Sequence, residues 1–456
     1  MAEQGGGAGM SEAGNERVAV LLRRIGALAA PTTAIALLQA AAQLTETWLA
    51  ARQGLAALAG WAVVLPFSLL LQQMSAGAMG GGVAAAIARA LGAGREEEAA
   101  DLVLHALLIA LGGGLLFAVL LAGFPRPVLG AIAGPEAAAA AAPYAIWLFG
   151  VGALPVWLAN TLASVLRGGG RHALAARVLA LAWIAFPPLA WLLSEPLGMG
   201  LAGVGAGFAA VFWAAALLMA LIVGRGGAGF TPRLRMRPSA TLFRRILSVG
   251  LVACALATLA NLTTILVTRQ LAVYGPVAVA AYGISARLEF LTVPLAFGVG
   301  SALTALVGRA AGAGDWPMAR RTAWAGGFVA LGVAGLLGLL VGLFPAGFAR
   351  LFTSDPAVVA VAARGLAYTG PAFGGFGLGM ALYFASMGAG RMSGPVLAAV
   401  TRLGVAVGGG ALLAGPLGLG LEGHFLGVAL GITAYGLITA GSVRPGVWPG
   451  RRAALS

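Results

Sequence analysis

Apolar residues dominate this chain in long unbroken runs, and the polar positions fall between those runs instead of alternating with them. Stretches without Asp, Glu or Arg cover 25–45, 53–88, 102–125, 137–166, 178–194, 196–224, 246–268, 322–349, 365–390, 403–421 and 423–443. One more, 270–308, is interrupted only by Arg287 and Glu289. A helix needs about 20 apolar residues to cross ~30 Å of hydrocarbon. The pattern therefore predicts twelve spans if 270–308 is one helix and thirteen if it is two. The runs are rich in Ala, Leu and Gly and lack the period-two alternation of barrel strands, so they read as helices.

The polar punctuation repeats. "RALGAGR" at Arg89–Arg95 returns as "RAAGAGD" at Arg309–Asp315, an offset of 220 (309 − 89). The same offset sets Gly80 on Gly300, Gly112 on Gly332, Phe124-Pro125 on Phe344-Pro345, Gly150 on Gly370, and Gly168, Gly170 and Arg171 on Gly388, Gly390 and Arg391. One ungapped offset holding polar positions in register marks an internal duplication. It makes 270–308 the counterpart of 53–88, hence one span, and gives each half six helices. Six is even, so both halves run in the same sense, related by an axis along the membrane normal. The predicted fold is an all-α membrane protein with twelve transmembrane helices in two six-helix lobes related by a pseudo-two-fold along that normal. Its predicted parts are a disordered tail over 1–20, lobes over 21–224 and 244–443, a basic linker over 225–243 and a second tail over 444–456.

Composition sharpens this picture. The 456 residues are 60% hydrophobic and 9% charged, against about 25% charged in a soluble domain. All 28 basic residues are Arg. With the N-terminus inside and twelve spans, 22 of them, Arg391 and Arg402 included, fall in inner loops and tails. Arg52, Arg126, Arg269, Arg350 and Arg364 fall outside, and Arg287 lies within a span. That asymmetry puts both termini in the cytoplasm and the chain in the cell membrane. The net charge of +14 is spread over loops that face anionic lipid, with no compact patch for nucleic acid. A single cysteine, Cys254, excludes a disulfide framework and a thiolate metal cluster. A chain without Lys has no P-loop lysine for ATP, and nothing in it resembles a catalytic constellation. No enzyme activity, metal, cofactor or obligate protein partner is expected.

The paired turns "ARALGAGREEEA" and "GRAAGAGDWPMA", the segments "LRGGGR", "ASMGAGRMSGPVLAAVTR" and "YGISARLEFLTVP", and the first helix "APTTAIALLQAAAQLTETWLAA" together resemble the multidrug and toxic compound extrusion (MATE) transporters over residues 20–442. The resemblance implies a rocking exporter. In its first helix the family has a Pro, a Gln eight residues on and an acid, usually Asp, fifteen after the Pro; the matching positions are Pro31, Gln39 and Glu46. Two patterns of the family are missing. The seventh helix, "ATLANLTTI", carries Asn261 and no acid, and the fifth reads "WIAFPP" where some members have Asn and Asp.

The candidate chemistry follows from what is costly in lipid. A charged group inside hydrocarbon costs at least ~2.5–3.5 kcal/mol and is turned toward a wet interior. Glu46 is the first such group and the candidate coupling site for H+ or Na+. The competing arrangement pairs it with Arg52 among the headgroups. Gln39 and Gln43 precede it by seven and three residues, near one helix face, and are candidate substrate contacts. Glu289 is the candidate second coupling site, with Arg287 as a substrate contact that could hold Glu289 when it is empty. Asn261 and Asn160 complete the substrate candidates. The function expected is a secondary active exporter of amphipathic, often cationic organic compounds by antiport with H+ or Na+, with only small molecules and membrane lipids as partners. The rivals are a lipid-linked oligosaccharide flippase and a non-transporting scaffold or receptor.

Overall fold

The computed structural model describes residues 6–234 and 237–448, with residues 6–18 and 132–133 as a backbone path alone. Among them there is no β-strand. Among the described residues eleven helices are long and apolar enough to cross a membrane, and the count is twelve when a pair bent by 44° is taken as one span. In chain order they are α1 (Gly6–Arg52), α2 (Leu55–Gly92), α3 (Glu96–Gly123), α4 (Pro135–Val151 with Ala153–Gly168), α5 (His172–Ser194) and α6 (Leu201–Gly224). Then follow α7 (Ala240–Tyr274), α8 (Pro276–Gly312), α9 (Trp316–Leu343), α10 (Pro356–Ala389), α11 (Ser393–Ala414) and α12 (Gly420–Ser442).

Region 270–308 falls mainly on one uninterrupted helix, α8, as the repeat required. Other expectations change. Of the tail expected over 1–20, residues 1–5 lie outside the described residues and the rest is the start of α1. Extending a formed helix costs far less than nucleating one, so the apolar span behind it carries the segment along. Arg402, placed in an inner loop from the sequence, lies ten residues into α11 instead, inside a candidate span. In the second tail, Trp448 is buried edge-on to Trp316 at 6.0 Å. Trp324 Nε1 donates to the Val443 carbonyl at 3.1 Å; residues 449–456 lie outside the described residues.

The chain forms two compact units, one of Pro31–Cys254 and one running from Ala255 together with the chain up to Ala30. The duplication is written into the backbone of both. Gly94 closes α2 with φ +70°, and Gly314 closes α8 with φ +75°. Around each, the same two bonds form: Gly94 N–H to Leu91 O with Arg95 N–H to Ala90 O, and Gly314 N–H to Ala311 O with Asp315 N–H to Ala310 O. This is a Schellman cap, which needs a left-handed residue that glycine adopts without strain. Helix crossings repeat as well. A methyl group on Gly168 would lie 2.8 Å from the Ala84 carbonyl oxygen, and one on Gly388 would lie 2.6 Å from that of Thr304. Small residues let membrane helices approach this closely.

One register change breaks the symmetry. Gly54 and Gly275 precede α2 and α8 with φ +99° and +93°. Their offset is 221 (275 − 54), one more than that of Gly94 and Gly314 at the far ends of the same helices (314 − 94). The extra residue of α2 is absorbed where that helix widens into a π-turn over Gln73–Ala78, while α8 stays α-helical throughout. Such bulges gather at functional positions.

The linker is strapped to the first unit. Arg233 pairs with Glu97 at 3.0 Å and its N–H donates to Ala100 O at 3.2 Å, while Arg245 at the start of α7 pairs with Glu98. His105 is fully buried: its Nδ1–H donates to Asp101 O at 2.9 Å, and its Nε2 accepts from Ser239 N–H at 2.8 Å. Residues 235–236 of the linker lie outside the described residues.

Candidate functional site

In the first unit the costly group is Glu46. It lies on the inward face of α1 with Ala42, Leu49 and Ala50, and is only 4% exposed. Its carboxyl meets the Tyr144 hydroxyl of α4, beside the indole of Trp61 on α2. The Trp61 ring nitrogen is buried without a partner in hydrogen-bonding geometry, so Tyr144 is the firm contact and Trp61 a neighbour. Arg52 is not a partner: it pairs with Glu195 at 2.7 Å, its guanidinium 4.9 Å from the Trp48 ring. Among the described residues no ion pair involves Glu46. Gln39 and Gln43 are half-buried on the same helix. Neither is a partner of the carboxyl, whose contacts run to Tyr144 and Trp61.

Asn160 stands apart from Glu46, in a polar knot with the π-turn of α2. Its Nδ2 donates to Gln72 Oε1 at 3.2 Å and to Ser75 Oγ at 2.8 Å. Ser75 Oγ donates to Leu71 O at 2.7 Å, and Ser164 Oγ to Asn160 O at 2.8 Å. All four residues are buried, and Gln72 Nε2 has no partner.

In the second unit Glu289 is neutralised, and not by Arg287. Arg287 is exposed, two residues along a helix from Glu289 and turned away from it. The partner is Arg402 of α11, which donates to the Glu289 carboxylate; both side chains are 12% exposed. The guanidinium carbon lies 5.1 Å from the ring centre of Phe376 on α10 and 6.0 Å from that of Tyr435 on α12. Tyr282 of α8 lies near both charges, with its hydroxyl beside that of Thr264. Asn261 is half-buried and spends its amide on the Ala257 carbonyl of its own helix at 2.9 Å. Among the described residues no three His, Cys, Asp or Glu gather as metal ligands.

Sequence reasoning missed Tyr144, Trp61, Gln72, Ser75, Arg402, Phe376 and Tyr435. Only Arg402 had a signal of its own: an Arg nine residues beyond Ser393, about 13 Å along a helix, is too deep for a loop once that helix start is recognised.

These two units, with their repeated plan of spans, define a polytopic helical membrane protein. The chain belongs to the MatE family, whose description matches it twice, over residues 31–192 and 251–411. The starts of the two matches, 31 and 251, differ by 220, the offset of the duplication. A probable multidrug resistance protein NorM from Xanthomonas axonopodis pv. citri is 30% identical over 297 residues, 61% of this chain and 62% of that protein. Multidrug resistance protein MdtK from Pectobacterium atrosepticum is 32% identical over 170 residues, 36% of this chain and 37% of that one. The match thus spans less than two thirds of the length of these relatives. Among solved structures, a MOP superfamily transporter from Pyrococcus furiosus superposes with a TM-score of 0.86 at 21% identity, covering 94% of this chain and 96% of that one. A mutant of the Vibrio cholerae MATE transporter VcmN gives 0.84 at 22% identity, covering 93% and 97%. At these identities the likeness carries the fold alone, that of the MATE transporters.

Proposed function

We propose that this chain is a secondary active exporter of amphipathic, often cationic organic compounds, driven by exchange against H+ or Na+, and sited in the cytoplasmic membrane with both termini inside. The names of its NorM and MdtK relatives support the cargo class, and the arginine asymmetry supports the orientation.

The observation that carries the reading is the Glu46 carboxyl, buried in a span beside Tyr144 and Trp61 with no ion pair among the described residues. A bare carboxylate in such a place is expensive. The cost disappears when the group holds a proton, and is offset when Na+ or an organic cation sits against it. One carboxyl serves one of these occupants at a time. Cargo arriving from one side therefore releases the ion, and the ion arriving from the other side releases cargo. The Tyr144 hydroxyl orients the carboxyl without neutralising it. Gln39 and Gln43, half-buried on the same helix, are the residues we assign to cargo. Asn160 and Asn261 spend amide donors on the protein itself.

The test uses purified protein in liposomes and follows ethidium and rhodamine 6G under an imposed pH or Na+ gradient. Wild type should move dye only with a gradient, and Glu46→Gln, nearly isosteric and never charged, should move it at least about tenfold more slowly, as when a coupling group is removed. Wild type that moves neither dye under either gradient overturns the export reading. Glu46→Gln running at the wild-type rate removes Glu46 from it.

A further inference from the structure

In the second unit a positive side chain already occupies the place that a flat organic cation would take. Arg402 lies against the Glu289 carboxylate with the rings of Phe376 and Tyr435 beside its guanidinium. A carboxylate backed by aromatic faces is how proteins recognise organic cations, and a guanidinium is itself planar, delocalised and weakly hydrated. The nest therefore has the chemistry of a binding site, with a part of the chain as its occupant.

We propose that Arg402 is a displaceable plug, and that a flat aromatic cation replaces it against Glu289, Phe376 and Tyr435. The proposal rests on the export reading for the statement that such a cation is cargo; the site itself stands on its own geometry.

Two further observations support displacement. A guanidinium carries five N–H donors, yet among the described residues this one donates to Glu289 alone. The side chains of the pair keep 12% exposure each, so the nest is not sealed. A purely structural arginine at this depth would have its donors satisfied all round.

The repeat supplies the second observation. Shifted back by the offset of the duplication, Arg402, Phe376 and Tyr435 land on Ala182, Val156 and Ala215. None of the nest belongs to the duplicated scaffold. The scaffold packs well without it in the first unit, where Ala182 and Val156 are buried in the core. Charge and aromatic faces were added to one repeat, at a point where packing alone called for neither.

A plug lowers the apparent affinity of a competing ligand by the fraction of molecules in which the site is open. Weakening the plug must therefore tighten binding, a direction opposite to that expected when a binding residue is lost. Ethidium binding to the full-length protein in detergent, read by fluorescence anisotropy, tests this. Arg402→Lys keeps a cation on Glu289 but cannot lie flat on the rings, and should bind ethidium about threefold tighter than wild type; Arg402→Gln should bind about tenfold tighter. Glu289→Gln should bind at least about tenfold more weakly, and the gain of Arg402→Lys should vanish when Glu289→Gln is added. Arg402→Lys that elutes as a single species and binds no tighter than wild type overturns the plug, as does a gain that survives in the double variant. Dye transport by wild type together with unchanged binding in Arg402→Lys sinks the plug alone. The predicted binding gains without gradient-driven transport sink the export reading and leave the site in place.

Discussion

Where α2 meets α4, Asn160 bridges Gln72 and Ser75, and the methyl position of Gly80 points at Ser164 Oγ, 2.6 Å away. One repeat further on, where α8 meets α10, Asn160 becomes Met380, Ser164 becomes Phe384, and the methyl position of Gly300 points at the Phe384 ring, 2.1 Å away. The helices cross at matching glycines in both units, but one crossing is filled with amides and hydroxyls and the other with a phenyl ring, while the Met380 sulfur accepts from the Tyr435 hydroxyl of α12 at 3.7 Å. Charge shows a parallel split: Glu46 has no cationic partner among the described residues, while Glu289 holds Arg402. At Gly168 and Gly388 a point where backbones touch survives duplication, because any side chain there collides with a main-chain atom that cannot move aside. What diverges is the filling, which only has to match in volume and leave no polar group unpaired.

The largest way to test that split is to delete one charge in each unit. Arg402→Leu leaves Glu289 nearly buried without its partner, and removing one member of such a pair costs about 3–5 kcal/mol. Glu46→Leu removes a carboxyl that has no cation to strand and forfeits little more than its bond to Tyr144, about 1 kcal/mol. Unfolding in mixed micelles should therefore rank Arg402→Leu far below Glu46→Leu. Equal losses would mean that Glu46 has a partner on which it depends, and the contrast between the units would fail.

The polar knot gives the next effect. Asn160→Leu strands Gln72 Oε1 and Ser75 Oγ in a buried crossing, at a cost of about 1–3 kcal/mol. Met380→Leu, at the corresponding place in the second unit, keeps a similar volume and gives up only a weak sulfur acceptor of the Tyr435 hydroxyl, so it should cost about 1 kcal/mol or less. The same unfolding measurement applies. A Met380→Leu variant as weak as Asn160→Leu would show that the second crossing is held by the shape of its filling, as strictly as the first is by hydrogen bonds.

The parts of this molecule legible from sequence are those that repeat or that lipid penalises. Gly94 and Gly314 could be read as matching turns because only glycine closes a Schellman cap cheaply, and the cap recurs in both units. Glu46 was legible because an acid closing a long apolar run is costly in lipid, and only the structure, which gives Arg52 to Glu195, removes the headgroup pairing as its explanation. Its partners were not. Tyr144 lies far along the chain on another helix, and nothing in "APYAIW" distinguishes it from an interfacial aromatic. Arg402 was misplaced because a lone arginine bordering an apolar run looks like the end of a span; only the start of α11 at Ser393 shows how deep it lies. The added residue of α2 was hidden for a different reason. The matches at the common offset begin at Gly80, beyond the π-turn, and Gly54 with its partner Gly275 lies before it.

A smaller effect isolates the one contact that orients Glu46. Tyr144→Phe keeps the buried ring, which is 1% exposed, and deletes only the hydroxyl, so stability should fall by about 1 kcal/mol. Dye transport separates packing from function. If Tyr144 orients the carboxyl, the variant loses gradient-driven transport while still folding. Wild-type rates in that variant would leave Trp61 and the helix itself as sufficient positioning. No loss is expected from the corresponding change in the second unit, Arg364→Gln, because the matching residue pairs with Glu422 at an exposed site, where such pairs contribute about 0–1 kcal/mol.

The smallest effect goes the other way. Gly112 and Gly332 occupy matching places on α3 and α9, and a methyl group on either meets nothing within 4 Å. Neither has positive φ, so neither is kept by contact or by backbone geometry. Alanine at each should stabilise its helix by about 0.5–1 kcal/mol, and the two gains should add, since the sites lie in separate units. Gly82→Ala is the counter-case: its methyl group would lie 2.8 Å from the Gly250 nitrogen, so the same substitution there should destabilise by about 1–3 kcal/mol. If Gly112→Ala and Gly332→Ala leave stability unchanged but slow gradient-driven transport, those glycines are kept for bending during the cycle. Matching glycines would then be of two kinds, those such as Gly168 and Gly388 where backbones touch and those such as Gly112 and Gly332 that bend.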